Sequence, residues 1–294
     1  MKTREIAALP LFKNKTSKQI RTRANNLQLR KIGNSVSKKV VDNPEELCLT
    51  SVQIENLEHK FGVTKGNRQS TLNDDYFEVI DSDEKAYWLG FLYADGYIYE
   101  RMNKNGGMSQ HLELDLASED VVHIHKFRYC IGCNKKVRSK NVKYNNKIYP
   151  TNRIDIYSDI FCNHLREKGV VPRKSLILTY PNEEILPPKY NSSFIRGYFD
   201  GDGCVSANNP ADIFVVSFVG TELFLTKMIQ ILKQEAGMNI VGIRQKSKAS
   251  EMRYSGYNNF VKMYNYMYQN STVSLDRKRR KFQNTINLRL TNTA

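Results

Sequence analysis

Residues 86–96 read AYWLGFLYADG and residues 193–203 read SFIRGYFDGDG, so an apolar run broken by glycine and closing on Asp-Gly occurs twice. Taken as a helix, the first phrase sets Gly90 and Ala94 four residues apart, and the second does the same with Gly197 and Gly201. Positions i and i+4 share a face, so each helix presents a narrow strip without side-chain bulk. A mid-helix glycine costs about 1 kcal/mol relative to alanine. Close backbone approach to a matching helix offsets that cost, and the other copy supplies the partner. Gly96 and Gly203 are expected to end the two helices in the left-handed conformation. Asp95 and Asp202 then sit at helix C-termini, where the macrodipole disfavours a carboxylate by a few tenths to about 1 kcal/mol. If the helices pack together, the two carboxylates also repel. Divalent cations remove both objections, because an oxygen-rich site of this type suits Mg²⁺.

The repetition extends beyond the phrase. In each half a polar loop leads to a strand, HLELDLAS (111–118) in the first and DIFVVSFVGT (212–221) in the second. Leu112, Leu114 and Leu116 alternate with His111, Glu113 and Asp115, the period of a half-buried strand. Ser118 or Thr221 is expected to cap an amphipathic helix that follows. Two basic strands come next, and a short helix with an Arg-Lys pair closes each half, VPRKS at 171–175 and LDRKR at 275–279. Lys174 follows Asp95 by 79 positions and Lys278 follows Asp202 by 76. The chain after residue 75 therefore reads as two pseudo-symmetric units in one polypeptide.

The chain of 294 residues carries 45 Lys+Arg against 30 Asp+Glu, a net charge of +15. An excess of this size calls for a polyanionic partner. No run approaches the roughly 18 apolar residues of a membrane span, so nucleic acid is preferred over a membrane surface. Five scattered cysteines suit a reducing, cytosol-like compartment. Cys130 and Cys133 form a C-x-x-C in the same half as His123, His125, Cys162 and His164, but beyond Cys162-x-His164 nothing supplies a second tightly spaced ligand pair, and zinc is not expected. Residues 1–40 hold eleven Lys and Arg against Glu5 alone. Within them TSKQIRTRANNLQL places Ile20, Ala24 and Leu27 at helical spacing with Lys18, Arg21 and Arg23 on other faces, similar to the second helix of a helix-turn-helix; a solvated basic arm is the alternative.

WLGFLYADG and IRGYFDGDG resemble the two motifs of the monomeric LAGLIDADG homing endonucleases. The likeness runs over residues 76–285 and includes GVVPRKS and YMYQNSTVSLDRKRRKF. It implies an α+β fold of two αββαββα repeats forming a saddle of antiparallel sheets, here with a small helical N-terminal extension. The boundaries expected are a basic DNA-binding extension at 1–40, a linker at 41–75, and repeats at 76–182 and 183–290. It also implies a nuclease making a staggered break in both strands of a long DNA site, with Asp95 and Asp202 binding catalytic Mg²⁺ (or Mn²⁺ as a substitute). Lys174 and Lys278 match lysines that help organise water and phosphate there, and a cation near the scissile phosphate stabilises developing charge. Tyr93 and Asp200 occupy the motif's first acidic position, so the two copies differ at that point.

The basic strands are expected to face the major groove. Lys136, Arg138 and Lys140 share one strand face, as do Arg244, Lys246 and Lys248. Arg153 points away from Ile154 and Ile156, and Arg253 lies in the matching strand of the second half. Arginine to guanine is the commonest specific contact in that groove. Together these features describe a monomeric, metal-dependent DNA endonuclease acting on double-stranded DNA in a prokaryotic or phage-infected cytoplasm, or in an organelle. An RNA maturase and a non-cutting DNA-binding regulator on the same fold are the alternatives. Protein splicing is not expected, because MKTRE lacks the nucleophile and LRLTNTA the His-Asn that it requires.

Overall fold

Ser82 begins the first motif helix. Its side chain accepts from the Lys85 amide at 3.3 Å, and Asp83 and Glu84 favour the positive helix end. A computed structural model describes residues 71–102, 106–208, 213–246 and 249–292 of the chain, all within one of its two units, Val63–Ala294. The basic segment with Lys18, Arg21 and Arg23, the linker up to residue 70, and Lys248 lie outside the described residues.

The first repeat comprises α1 (Asp83–Asp95), β1 (Gly96–Met102), β2 (Met108–Ala117), α2 (Val121–Cys130), β3 (Arg138–Tyr144), β4 (Lys147–Tyr157) and α3 (Asp159–Glu167). The second comprises α4 (Asn191–Asp202), β5 (Cys204–Asn208), β6 (Ile213–Gly220), α5 (Glu222–Ala236), β7 (Ile243–Lys246), β8 (Ala249–Ser255) and α6 (Tyr257–Tyr268), followed by α7 (Asp276–Asn292). Each repeat forms a four-stranded antiparallel sheet, in the orders β1-β2-β4-β3 and β5-β6-β8-β7. This is an α+β fold with the same sheet topology written twice.

Alternation places the core. Leu112, Leu114, Ile154 and Ile156 point inward onto Ile124, Phe127, Phe161 and Leu165 of α2 and α3. Phe214, Val216, Phe218, Met252 and Tyr254 do the same against α5 and α6. The stretches after each motif helix, expected as polar loops, are edge strands. In β1 only Gly96 and Ile98 are buried, so the strand leaves almost no apolar alternation in the sequence. Ser118 does not cap α2: residues 118–120 form a short 3-10 turn, and the Ser118 hydroxyl instead accepts from Asn152 at 2.9 Å. Thr221 does cap α5, accepting from the Phe224 amide at 3.2 Å. Lys136 precedes β3 and is not on a strand face, because pairing with β4 begins at Arg138.

The seam between repeats is built by α1 and α4. A methyl group on Gly90 would lie 2.0 Å from the Phe194 carbonyl oxygen, and one on Gly197 would lie 2.0 Å from that of Tyr87. One on Gly201 would meet Ala94 Cβ at 2.3 Å. The small-residue strip is thus the contact surface itself. Gly96 and Gly203 correct an expectation: both are extended (φ −73°), not left-handed. What excludes a side chain there is space, since a Cβ would approach Leu92 Cδ2 to 2.9 Å and Phe199 Cδ2 to 2.2 Å.

Candidate active site

The close packing brings the ends of α1 and α4 together, and Asp95 and Asp202 with them. Asp95 Oδ2 lies 3.1 Å from the point where a side chain on Gly201 would begin, next to Asp202 in the chain. Asp95 is half-buried and Asp202 exposed. Among the described residues neither carboxylate accepts a hydrogen bond or forms an ion pair. Burial raises the Asp95 carboxyl to about 7, the Asp202 charge adds to the rise, and Lys278 and Lys174 oppose it. Although its surface is exposed, the surrounding protein displaces enough water to raise Asp202 as well, against the pull of Lys174 and Lys278.

Lys174 and Lys278 are buried. Lys278 Nζ donates to the carbonyls of Phe199, Gly201 and Gly203 at 2.7, 2.8 and 2.6 Å. Lys174 Nζ donates to the Ala94 carbonyl at 3.4 Å and to that of Gly96. Each ammonium therefore caps the carbonyl end of its motif helix, where a cation is favoured. Desolvation lowers the pKa of both lysines, and the aspartates raise it again.

Several residues that hold this arrangement escape sequence reading. Asp200 is fully buried and accepts from Tyr87 Oη (2.8 Å), Tyr268 Oη (2.5 Å) and the Leu275 amide (2.7 Å). His123 completes the cluster with Nε2 at 2.9 Å from Tyr87 Oη, and burial holds its pKa well below the usual histidine range. Arg196, also buried, donates to the carbonyls of Val273 (3.0 Å) and Met267 (2.8 Å). Asp120 pairs with Arg277 at 2.8 Å and Asp276 with Lys126 at 3.0 Å, tying the start of α7 to the first repeat.

The outer sheet faces differ from the simple cationic surface that the sequence suggests. In the first sheet Arg153 pairs with Glu113 (2.6 Å) and Asp155 (2.7 Å), Arg138 with Asp155, and Lys140 with Asp115. Acids alternating on the neighbouring strands occupy these cations. Tyr99, His111 and Tyr157 stack across the same face, with centroids 5.1 and 4.6 Å apart. His111, Glu113 and Asp155 are close enough to share a cation, but arginines already take both carboxylates. In the second sheet Lys246 pairs with Glu251 at 2.7 Å, whereas exposed Arg244 and Arg253 have no ion-pair partner among the described residues and line a shallow depression with Ser255.

Residues 189–265, which contain the second motif, match the family model described as LAGLIDADG-like domain. The matched residues lie in the second repeat, and the first repeat has the same sheet topology. No curated protein matches the chain. Similar solved structures include the meganuclease I-SmaMI bound to uncleavable DNA, at 13% identity over 71% of this chain and 91% of that one, with a TM-score of 0.47. Variants of the homing endonuclease I-DmoI align at 13% over 72% and 99% (TM-score 0.45), and the LAGLIDADG homing endonuclease I-LtrWI bound to target DNA at 12% over 74% and 90% (0.44). Among the described residues no helix is long and apolar enough to cross a membrane.

Proposed function

We propose that the chain is a metal-dependent, site-specific DNA endonuclease that hydrolyses one phosphodiester on each strand of a long duplex and leaves a staggered break. One observation carries this reading: two carboxylates without a protein partner are forced together at two helix ends whose carbonyls buried lysines already cap. As structure alone, the pair opposes folding. As an oxygen-only donor set, Asp95 and Asp202 fit Mg²⁺ or Mn²⁺. A bound divalent ion would supply an activated water and charge neutralisation at phosphate. Lys174 and Lys278 add positive potential beside the point where charge develops. The match of residues 189–265 to a LAGLIDADG-like domain supports the same reading.

Arg244 and Arg253 are the side chains best placed to contact DNA from the second sheet. Arg138, Lys140 and Arg153 do so from the first once they exchange their acidic partners for phosphate or base. Lys136 and Lys246 contribute surface charge, and Lys18, Arg21, Arg23 and Lys248 extend the basic set along the chain. The test is a cleavage selection from a randomised duplex library with Mg²⁺, followed by the same assay on Asp95→Asn and Asp202→Asn. The native chain is expected to yield a single enriched site. Each variant is expected to lose double-strand cleavage by at least about 10³-fold while keeping affinity within about threefold. Cleavage by the double variant at the native rate would sink the proposal.

A further inference from the structure

Tyr93 and Asp200 stand two residues before Asp95 and Asp202, at matched positions with unlike chemistry. Each reaches the segment that delivers the lysine of its own repeat. In the first repeat Tyr93 Oη donates to the Lys168 carbonyl. The chain there passes so close beneath the phenol that a methyl group on Gly169 would lie 2.1 Å from its oxygen, with Gly169 at φ +96°. Lys174 follows five residues later, after Arg173 in the left-handed conformation at φ +56°. In the second repeat the Asp200 carboxylate takes the Leu275 amide at 2.7 Å, and the Lys278 amide returns to the Leu275 carbonyl at 3.1 Å. The hydroxyls of Tyr87 and Tyr268 fix the other side of that carboxylate.

We infer that Tyr93 and Asp200 are positioning residues, one per repeat, that hold Lys174 and Lys278 beneath the ends of the motif helices. A phenol gripping a carbonyl does this in one repeat, and a carboxylate gripping an amide does it in the other. Neither side chain touches the reacting centre, so each acts through its lysine. The catalytic consequence rests on the nuclease reading, whereas the positioning itself does not. Because the two grips use different groups, near-isosteric replacements separate them. Tyr93→Phe removes the donor in the first repeat. Asp200→Asn sets an amide N–H₂ against donors in the second.

Two measurements decide the matter on the full chain. Hydrogen exchange is followed in peptides spanning 166–178 and 270–282. Strand-resolved cleavage is followed on a doubly end-labelled duplex carrying the selected site. Tyr93→Phe is expected to speed exchange about tenfold in 166–178 only, and Asp200→Asn to do so in 270–282 only. Each is expected to slow one strand about tenfold through kcat with KM unchanged. The strand affected should be the one slowed by Lys174→Met or Lys278→Met respectively, so nicked duplex accumulates. Unchanged exchange in both segments, exchange raised throughout the chain, or the same strand slowed by both variants would overturn the inference. Should Asp200→Asn not fold, Tyr93→Phe decides alone. A native chain that cuts no duplex sinks the nuclease reading and leaves the exchange data to judge the positioning.

Discussion

At Asp95 the competing effects can be weighed one group at a time. Asp95 is only partly open to water, and burial raises its carboxyl pKa from 3.8 to about 7 in the fold. Between those values the folded chain holds a proton that the unfolded chain has lost, so stability falls as pH rises from about 4 to about 7 and stays low above it. Solvent screening at the partly exposed carboxylate leaves an effect on the order of 2 kcal/mol. Metal-free protein is therefore expected to melt about 4–8 °C lower at pH 8 than Asp95→Asn does, with the gap closing at pH 4. Mg²⁺ should raise the melting temperature of the native chain at pH 8 and leave Asp95→Asn nearly unmoved. Parallel melting curves for the two proteins across that pH range would mean that the charge conflict does not govern stability. Lys278 offers the complementary measurement. Lys278→Met withdraws the ammonium from three carbonyls, of which that of Phe199 keeps the Gly203 amide at 2.8 Å, and a loss of about 2–4 kcal/mol in denaturant unfolding is expected.

At the scale of the element, α1 and α4 act as one unit because their glycines let the backbones touch. Gly90→Ala or Gly197→Ala places a methyl group 2.0 Å from a carbonyl oxygen of the other helix, which cannot yield without the helices parting. A destabilisation of about 3 kcal/mol or more is expected for either. Gly242→Ala, where nothing lies within 4 Å of the new methyl group, should stay within about 0.5 kcal/mol of the native chain. Thermal unfolding of the three variants checks the contrast, and equal melting temperatures would mean the seam is looser than the glycines imply. This seam was legible in the sequence, since i, i+4 spacing of small residues is a local signal and the second copy named the partner. Asp200 and Arg196 were not legible. A charge inside an apolar run has no local reading, and apart from Ser193, three positions from Arg196, their hydrogen-bond partners lie 68 to 113 positions away. The edge strands β1 and β5 were missed for a related reason: β1 has an inward face of only two residues, and the alternation of β5 spans only five residues. Gly96 and Gly203 were located correctly but for the wrong cause, as a crowded neighbour and a left-handed turn both demand glycine.

Over the whole molecule, a net charge of +15 fixes how strongly the chain is drawn to a polyanion but not which residues meet it. The two sheets answer that differently. On the first, Arg138, Lys140 and Arg153 are neutralised within the sheet by Asp155, Asp115 and Glu113, so binding through them requires breaking pairs already made. On the second, Arg244 and Arg253 are exposed and free of ion pairs among the described residues, so on the proposed reading phosphate would engage them directly and release its own counterions. Alternating basic residues in the sequence could not separate these cases, because the pairing depends on which acids the neighbouring strands bring opposite. On the proposed reading, fluorescence anisotropy of a labelled duplex against NaCl concentration should distinguish them. Arg244→Ala with Arg253→Ala is expected to weaken binding and flatten the log–log salt slope by close to one for each phosphate no longer neutralised. Arg138→Ala is expected to change the slope by much less, because Asp155 already cancels that charge. Asp155→Asn, which leaves the Arg138 and Arg153 pairing incomplete, should strengthen non-specific binding and steepen the slope. If Arg138→Ala flattened the slope as much as the double variant, the intra-sheet pairs would not persist in solution, and the two faces would meet DNA as equals.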